Sequence, residues 1–200
     1  VLNHEVRNSL TPIYSMSQSL QTLKHQGQIS SHDDLAQDML QVIEKRAQHL
    51  LDFVASYSAF AKLPPAQKQA ISSEQLNTRL SAIFPELVIN SSEELHINAD
   101  FGQLEQALIN LIKNAFEAGS NSAPTLTWSR QGDSLNITIS DQGCGIQNPD
   151  NLFVPFYSTK ANGTGIGLVI TRELVRNQGF ELSINSKPQQ GTQATITVPS

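Results

Sequence analysis

The first group of residues suited to chemistry lies at the start of the chain, in His4-Glu5-Val6-Arg7-Asn8-Ser9-Leu10-Thr11-Pro12. It places a nucleophilic imidazole, His4, beside the carboxylate of Glu5. Residues four apart share one face of a helix, so Asn8 is predicted to lie one turn from His4. Because Pro12 has no N–H, we expect the helix to bend there. For this segment alone, a solvated helix face that holds a histidine is the alternative.

A pair of amides forms the second group. Asn110 and Asn114 flank Lys113 in the sequence Asn-Leu-Ile-Lys-Asn-Ala, at a spacing that places both amides on one helical face. Asn offers an acceptor and a donor without charge, and such a pair can hold a hydrated Mg²⁺ or phosphate oxygens. Two polar residues on an exposed face are the alternative.

The third group follows a predicted strand and reads Asp141-Gln142-Gly143-Cys144-Gly145-Ile146. A carboxylate at a strand end can accept a hydrogen bond from an exocyclic amine, and nearby glycines let the backbone approach a flat ring. A hairpin turn is the alternative for this sequence.

The fourth group is a glycine-rich loop, Gly163-Thr164-Gly165-Ile166-Gly167-Leu168, which runs into a predicted helix. Backbone N–H groups at a helix start favour phosphate binding. The loop lacks the Gly-Lys-Ser/Thr ending of a P-loop, and no strand–loop–helix unit of the dinucleotide-binding type surrounds it. Upstream, Phe153-Val154-Pro155-Phe156 precedes Lys160, which could place a charge near phosphates or be an ordinary solvated loop lysine.

Helical periodicity dominates the first 62 residues. Ile13, Met16, Leu20 and Leu23 form one apolar stripe, and Leu40, Ile43, Ala47, Leu50, Val54, Tyr57 and Ala61 form a second with heptad spacing. Gly27 and the run from Ser30 to Asp34 predict a turn and an N-cap between them. A helical hairpin buries little by itself, so pairing with a second copy into a four-helix bundle is the expected completion, and packing on its own second domain is the alternative.

After a predicted hinge at Leu63-Pro64-Pro65-Ala66, the pattern becomes α+β. Short strands are predicted around residues 87–89, 95–97, 125–128, 135–139, 182–184 and 194–198. A capping box at Asp100 to Gln103 predicts the start of a helix with Leu104, Leu108, Leu111, Ala115 and Ala118 on its apolar face. A further helix is predicted from about Gly165 to Asn177, closed by Gly179. We therefore expect domains at 1–63 and 71–200, joined by a hinge at 64–70.

The order and spacing of these groups resemble the Bergerat ATP-binding fold of gyrase, MutL and histidine kinases. The sequence His-Glu-x-Arg-Asn-x-Leu-x-Pro resembles the phosphoacceptor box of bacterial sensor histidine kinases, nearest to the nitrogen-regulation type. The resemblance covers essentially the whole chain. It implies an α+β architecture, in which a helical hairpin, half of a dimeric four-helix bundle, precedes an α/β-sandwich ATP-binding domain.

The resemblance also implies roles for individual residues. His4 matches the phosphorylated histidine, Glu5 its base or orienting carboxylate, and Asn8 a residue that places water during dephosphorylation of the partner regulator. Asn114 matches the Mg²⁺ ligand, Asn110 its supporting asparagine, and Asp141 the adenine-binding carboxylate. The other positions matching the ATP-binding motifs are Lys113, Gly143, Gly145, Ile146, Phe156, Lys160, Gly163, Thr164, Gly165, Gly167, Leu168 and Thr192. ATP and Mg²⁺ are thus the implied cofactors, and a second copy and a response-regulator receiver domain are the implied partners.

Gyrase-type ATPases have a glutamate base at the position of Asn110, four residues before the Mg²⁺ asparagine. Without a carboxylate there, ATP is expected to be spared hydrolysis until His4 arrives as the nucleophile, because loss of an oriented base costs about 10²–10⁴ in rate. A nucleotide-binding scaffold without phosphotransfer and a gyrase-like ATPase remain as alternatives.

Composition excludes several other classes of protein. The 200 residues contain 13 Lys+Arg and 18 Asp+Glu, a mild acidity that argues against a nucleic-acid surface or a polybasic membrane anchor. A single cysteine, Cys144, forms no intrachain disulfide and fits a reducing compartment. The chain starts without Met, almost at the histidine box, so we expect the cytoplasmic portion of an inner-membrane sensor whose bundle is weakened by the short first helix.

Overall fold

The computed structural model describes residues 2–26, 34–61, 63–91, 93–120, 122–154, 157–158, 160 and 165–199. The chain divides into two compact units, of which the first contains a helical hairpin and the second contains residues 63–154 and 167–200. Among the described residues, no helix has both the length and the apolarity needed to cross a bilayer.

The hairpin consists of α1 (Leu2–His25) and α2 (Asp34–Ala61). α1 continues through Pro12, and its predicted apolar stripe is confirmed, since all four of its members are half-buried. The predicted stripe of α2 is wrong at Leu40, which is 54% exposed, whereas Met39 is half-buried and Ala36 is buried. Ile43, Ala47 and Leu50 are half-buried as predicted, and the side chains of Val54, Tyr57 and Ala61 lie outside the described residues. Residues 27–33, predicted as the turn, lie outside the described residues.

The described residues of the second unit form seven strands and three α-helices. In chain order they are β1 (Gln69–Ser72), α3 (Ser73–Ile83), β2 (Val88–Ser91), β3 (His96–Ala99), α4 (Phe101–Phe116), β4 (Thr125–Gln131), β5 (Ser134–Asp141), α5 (Gly167–Asn177), β6 (Glu181–Ser186) and β7 (Thr192–Val198). A short 3₁₀ turn covers Pro149–Asn151. The six predicted strands and both predicted helices are confirmed, whereas β1 and α3 were not predicted.

The main sheet has five strands in the order β2-β4-β5-β7-β6, antiparallel except for the parallel pair β2–β4. β1 and β3 form a separate antiparallel pair. Along β5 and β7, buried apolar residues alternate with more exposed polar ones, as expected for a sheet covered on one face. The buried face shares a single apolar core with α3, α4 and α5, whose largest fully buried members include Leu76, Leu108, Ile137, Leu174 and Ile196.

α4 is the central helix of this layer, and its predicted apolar face is confirmed at Leu104, Leu108, Leu111 and Ala115. Ala118 lies just beyond its end. The predicted capping box at its start is only half formed. The Asp100 side chain accepts the N–H of Gln103, but the Gln103 side chain donates to the Pro64 carbonyl oxygen at 3.0 Å instead of returning to the cap. A complete capping box occurs at Ser72 and Gln75, at the start of α3.

The segment predicted as a hinge makes specific contacts within the second unit. The Pro64 carbonyl oxygen also accepts from Asn177 Nδ2 at 2.8 Å, and the Gln67 N–H donates to Asp100 Oδ2 at 2.8 Å. These contacts tie residues 64–67 to the start of α4 and the end of α5. The division of the chain into 1–63, 64–70 and 71–200 stays a prediction.

Candidate nucleotide site

Asp141 is positioned by the end of β5, where its carboxylate is held by two backbone donors. Its Oδ1 accepts the N–H of Gly143 at 2.8 Å and the N–H of Thr192 at 3.2 Å. Asp141 and Thr192 are also direct partners in the β5–β7 register, so their side chains lie on the same face of the sheet. Among the described residues both of these donors go to Oδ1, so Oδ2 is the carboxylate oxygen that we expect to face a ligand.

The glycines after Asp141 are required by close packing. At Gly143, a Cβ would overlap the Ala118 backbone, and the Cys144 N–H donates to the Ala118 carbonyl oxygen at 2.9 Å. Gly145 has a φ of +67°, and a Cβ there would overlap the Lys187 carbonyl oxygen. The loop is thus fitted between the end of α4 and the β6–β7 turn, and no larger residue fits at either position.

The β6–β7 turn brings a further side chain to this place. Ser186 Oγ contacts the Ile146 N–H at 2.9 Å, the Gly191 carbonyl oxygen at 3.0 Å and Thr192 Oγ1 at 2.9 Å. Ser186 pairs with Thr192 in the β6–β7 register. Asp141, Thr192 and Ser186 therefore form one row across three adjacent strands, which we call the acceptor row.

A second cluster links the amide motif to the glycine loop. Asn110 Nδ2 donates to Thr171 Oγ1 at 2.6 Å, and Thr171 Oγ1 donates to the Gly167 carbonyl oxygen at 2.9 Å. A Cβ at Gly167 would lie 2.8 Å from Asn110 Oδ1, so this glycine lets α5 start directly against the amide. The structure thus brings Asn110 and Gly167 together, as the ATP-site resemblance implies.

The other residues of the amide motif differ in exposure. Asn114 lies one turn after Asn110 on α4 and is half-buried. The Lys113 side chain is 67% exposed, and its Nζ lies 4.0 Å from Glu117 Oε1. Only a weak contribution to stability is expected from such an exposed pair.

The remaining predicted residues are placed less completely. His4, Glu5 and Asn8 lie on α1, but their side chains are outside the described part of the chain, as are Phe156, Gly163 and Thr164 altogether. Gly165 has a left-handed φ of +65°, and Leu168 is half-buried against the core. The Lys160 N–H donates to Ser158 Oγ at 3.1 Å.

These residues fit a nucleotide in two respects. The acceptor row presents oxygen atoms beside backbone that only glycine allows, which suits a flat base carrying an amine. Asn110 lies beside the start of α5 with Asn114 one turn further along α4, and amide oxygens are ligands that Mg²⁺ accepts.

Comparison with known proteins gives the family. Residues 99–200 match the model of the histidine kinase-, DNA gyrase B- and HSP90-like ATPases, which covers half of the chain. This chain therefore belongs to that family of ATP-binding proteins, and the predicted family is confirmed.

Individual relatives agree with this assignment over nearly the full chain. Sporulation kinase B of Bacillus subtilis is 31% identical over 212 residues, covering 98% of this chain and 48% of the relative. The signal transduction histidine-protein kinase AtoS of Escherichia coli is 29% identical over 209 residues, covering 98% of this chain and 33% of the relative. The chain spans less than half the length of these two relatives.

Solved structures of histidine kinases share the fold of this chain. Histidine kinase AdeS of Acinetobacter baumannii matches with a TM-score of 0.64 at 20% identity, over 98% of this chain and 97% of that one. Histidine kinase ThkA, solved in complex with the response regulator protein TrrA, matches with a TM-score of 0.72 at 20% identity, over 99% of this chain and 59% of that one.

Two site residues were not found from the sequence. In the sequence, Thr171 is one position of the helical pattern of α5, and Ser186 is one position of the alternating pattern of β6, so neither stands out as a site residue. Only the position of Ser186 directly before the turn Lys187-Pro188-Gln189-Gln190-Gly191 could have drawn attention to it.

Proposed function

We propose that this chain is the catalytic core of a sensor histidine kinase, which phosphorylates His4 from ATP and passes the phosphoryl group to an aspartate of a response-regulator receiver domain. The acceptor row carries the proposal, because its carboxylate is fixed by two backbone N–H groups beside a loop that only glycine can form. The relatives are all kinases by name, and AtoS and ZraS of Escherichia coli are named histidine kinases, which supports the same activity.

In the first transfer, a ring nitrogen of His4 attacks the γ-phosphorus of ATP. A nitrogen–phosphorus bond forms, the bond from phosphorus to the bridging oxygen breaks, and ADP leaves. Glu5 accepts the ring proton or orients the imidazole. In the second transfer, a carboxylate oxygen of the receiver aspartate attacks phosphorus, and the bond to His4 breaks.

Within the second unit, Asp141 and Thr192 would bind the base, and Asn114 would hold Mg²⁺, which would screen the phosphate charge. We assign further nucleotide contacts to Asn110, Lys113, Gly143, Gly145, Ile146, Phe156, Lys160, Gly163, Thr164, Gly165, Gly167 and Leu168. Asn110 cannot remove a proton from water, and its amide nitrogen is already engaged by Thr171. This favours transfer to histidine over hydrolysis.

The proposed dimer is supported by apolar side chains that the hairpin leaves exposed. Tyr14 of α1 is 66% exposed, and Leu35, Leu40 and Leu51 of α2 are 57%, 54% and 63% exposed. In the proposed dimer these side chains would contact the second copy, which would remove their apolar surface from water. Light scattering is expected to give twice the 21.9 kDa of one chain, and a monomeric mass at micromolar concentration would contradict this part of the proposal.

The receiver domain is proposed as the second partner because ThkA, which shares the fold, was solved with a response regulator. We also propose that the chain is the cytoplasmic part of an inner-membrane sensor, since ATP is its phosphoryl donor. Dephosphorylation of the regulator is proposed as a second activity, with Asn8 placing the water.

The test of this function is labelling with γ-³²P-ATP. The protein is expected to retain label that is stable in base and lost in acid, as a phosphoramidate is. His4→Gln should abolish the label and leave ADP affinity unchanged, because His4 belongs to the hairpin and not to the acceptor row. His25→Gln is the matched control, since His25 lies at the other end of the same helix, and it should label normally.

The labelling experiment also distinguishes the alternative functions. Steady release of phosphate without a phosphoprotein would favour a gyrase-like ATPase. Nucleotide binding with neither label nor phosphate release would favour a signalling scaffold. Label that persists in His4→Gln would refute the assignment of His4.

A further inference from the structure

Strand β2 lies at one edge of the main sheet. It pairs with β4 on one side, and among the described residues no strand pairs with its other side. The Val88 N–H donates to the Pro124 carbonyl oxygen at 3.0 Å, so the backbone groups of Val88 point toward β4. Because successive residues of a strand direct these groups to opposite sides, the N–H and C=O groups of Ile89 and Ser91 lie along the free edge. An edge of this kind can pair with an added strand.

Apolar surface lies beside this free edge. Val88 is 46% exposed, and Ile83, at the end of the preceding helix α3, is 47% exposed. An open groove of about 380 Å³ follows the edge, and it is lined by Ile89, Asn90, Ser91, Thr127 and Trp128. An added strand would place side chains in this groove and against Val88, so it would bury apolar surface as well as form backbone hydrogen bonds.

The charges around β2 are negative. Glu86 lies two residues before the strand, Glu93 and Glu94 follow it, and all three are exposed. Between α3 and α4 the sequence contains no Lys or Arg. The one titratable neighbour recorded for these carboxylates is His96, whose Nε2 lies 3.9 Å from Glu94 Oε1. On the neighbouring strand, Arg130 lies beyond the end of the β2–β4 pairing.

This negative charge distinguishes between possible occupants of the edge. A second copy of this chain, paired edge to edge through β2, would bring its own carboxylates close to these, and like charges repel. An extended segment with a basic residue at each end would instead place its cations beside Glu86 and Glu93, at the two ends of the strand.

We propose that the free edge of β2 docks an extended basic segment of a partner protein, which adds to the main sheet as a sixth strand. The segment has apolar side chains at alternate positions and Lys or Arg at both ends of a paired stretch that spans roughly 13 Å. This docking goes beyond the proposed function, because it uses no residue assigned to the nucleotide or to phosphotransfer.

The test uses three synthetic peptides and the full chain, and it measures dissociation constants by calorimetry. The first peptide alternates valine and threonine over five residues between two terminal lysines, and it is expected to bind. The second has the same charges but proline at its centre, which removes a backbone donor, and the third has glutamates in place of the lysines. Both should bind about tenfold more weakly than the first. Equal binding of the proline peptide would mean that charge alone attracts the probe, and would overturn the proposal.

Variants of the protein locate the binding at β2. Ser91→Pro removes one N–H from the free edge, at an exposed position where an edge strand tolerates proline, and should weaken the lysine peptide about tenfold. Ser91→Ala is the matched control, since it removes the hydroxyl and keeps the N–H, and it should bind like the wild type. If Ser91→Pro does not fold, the lysine peptide with methylated backbone nitrogens replaces it and should lose binding in the same way.

The carboxylates are tested by replacing Glu86 and Glu93 together with Gln, which should weaken the lysine peptide about fivefold. Glu181→Gln is the matched control, because Glu181 lies on β6 at the opposite edge of the sheet, and it should leave the affinity unchanged.

Three results would overturn the proposal. They are no binding of the lysine peptide by the wild type, unchanged binding in folded Ser91→Pro, and unchanged binding when both carboxylates are replaced. Self-association of the wild type that Ser91→Pro abolishes would make a second copy the occupant, and would overturn it as well. None of these results alters the labelling of His4, so the proposed function stands or fails separately.

Discussion

Thr171 carries the polar link between α4 and α5, and replacing it with valine tests how the two nucleotide motifs are held together. Its side chain is buried, with 1% exposure. It accepts from Asn110 Nδ2 at 2.6 Å and donates to the Gly167 carbonyl oxygen at 2.9 Å. Thr171→Val keeps nearly the same shape, so the change removes the hydroxyl and leaves the packing in place.

The expected loss in the free energy of unfolding depends on which hydrogen bonds Asn110 and Gly167 keep in the variant. Asn110 Nδ2 is left without its acceptor at a half-buried position, and an unsatisfied donor of this kind costs about 1–3 kcal/mol. The Gly167 carbonyl oxygen lies four residues before Thr171 at the start of α5, so it keeps the backbone hydrogen bond of the helix. We therefore expect the free energy of unfolding to fall by about 2 kcal/mol, nearly all of it from Asn110.

Urea unfolding followed by tryptophan fluorescence measures the free energy of unfolding of the second unit, which contains Thr171. Trp128 is the only tryptophan in the sequence, is 3% exposed, and lies on β4 of the second unit. With a urea dependence of about 2 kcal/mol per molar, the unfolding midpoint should fall by about 1 M.

Three controls make the result decisive. Thr171→Ser keeps the hydroxyl and should stay closer to the wild-type midpoint than Thr171→Val. Thr138→Val removes a hydroxyl contact of 3.2 Å with Thr195 on the outer face of the sheet, and should lower the free energy by less than about 0.5 kcal/mol. In an Asn110→Ala background, Thr171→Val should add little, because the donor is already gone. A wild-type midpoint for Thr171→Val, or an equal fall in Thr171→Ser, would refute the reasoning.

Two further predictions concern activity. Asp141→Asn replaces the charged acceptor of the base amine with a neutral amide. ADP affinity should therefore fall by about 10-fold to 150-fold, which corresponds to a hydrogen bond to a charged group. Unchanged affinity by calorimetry would mean that another group binds the base amine. Asn8→Ala should slow dephosphorylation of the regulator several-fold and spare autophosphorylation of His4, because positioning a water is a geometric effect; an equal fall in both rates, measured on one preparation, would count against a role in dephosphorylation.

The parts of the fold that the sequence predicted are those encoded by local patterns. Alternating residues predicted β5 and β7, and regular apolar spacing predicted α4 and α5, because a single buried face gives a clear period. The candidate site motifs were predicted from residue types that few folds contain in this order along the chain. Asp141 and Gly143 meet in the structure as that order implied.

The missed elements lacked such a pattern. β1 has only four residues, and α3 buries little besides Ser73, Leu76 and Leu80, so neither shows a long apolar period. The capping box was assigned to Asp100 when the complete one is at Ser72. The local spacing of residues allows a capping box at either place. At Asp100 the box is incomplete because both groups have distant partners: the Gln103 side chain donates to the Pro64 carbonyl oxygen, and the Asp100 N–H donates to Gln178 Oε1 at 2.8 Å.

The acceptor row could not be predicted from the sequence because it exists only through strand register. Side chains alternate along a strand, so a slip of one residue between β5 and β7 would move Thr192 to the opposite face and away from Asp141. The turn before β7 resists such a slip. Gln189 has a φ of +61° and donates its N–H to the Cys144 carbonyl oxygen at 2.8 Å, and a Cβ at Gly191 would overlap the Asp141 carbonyl. The turn is therefore part of the nucleotide site, because its backbone fixes which hydroxyl stands beside the carboxylate.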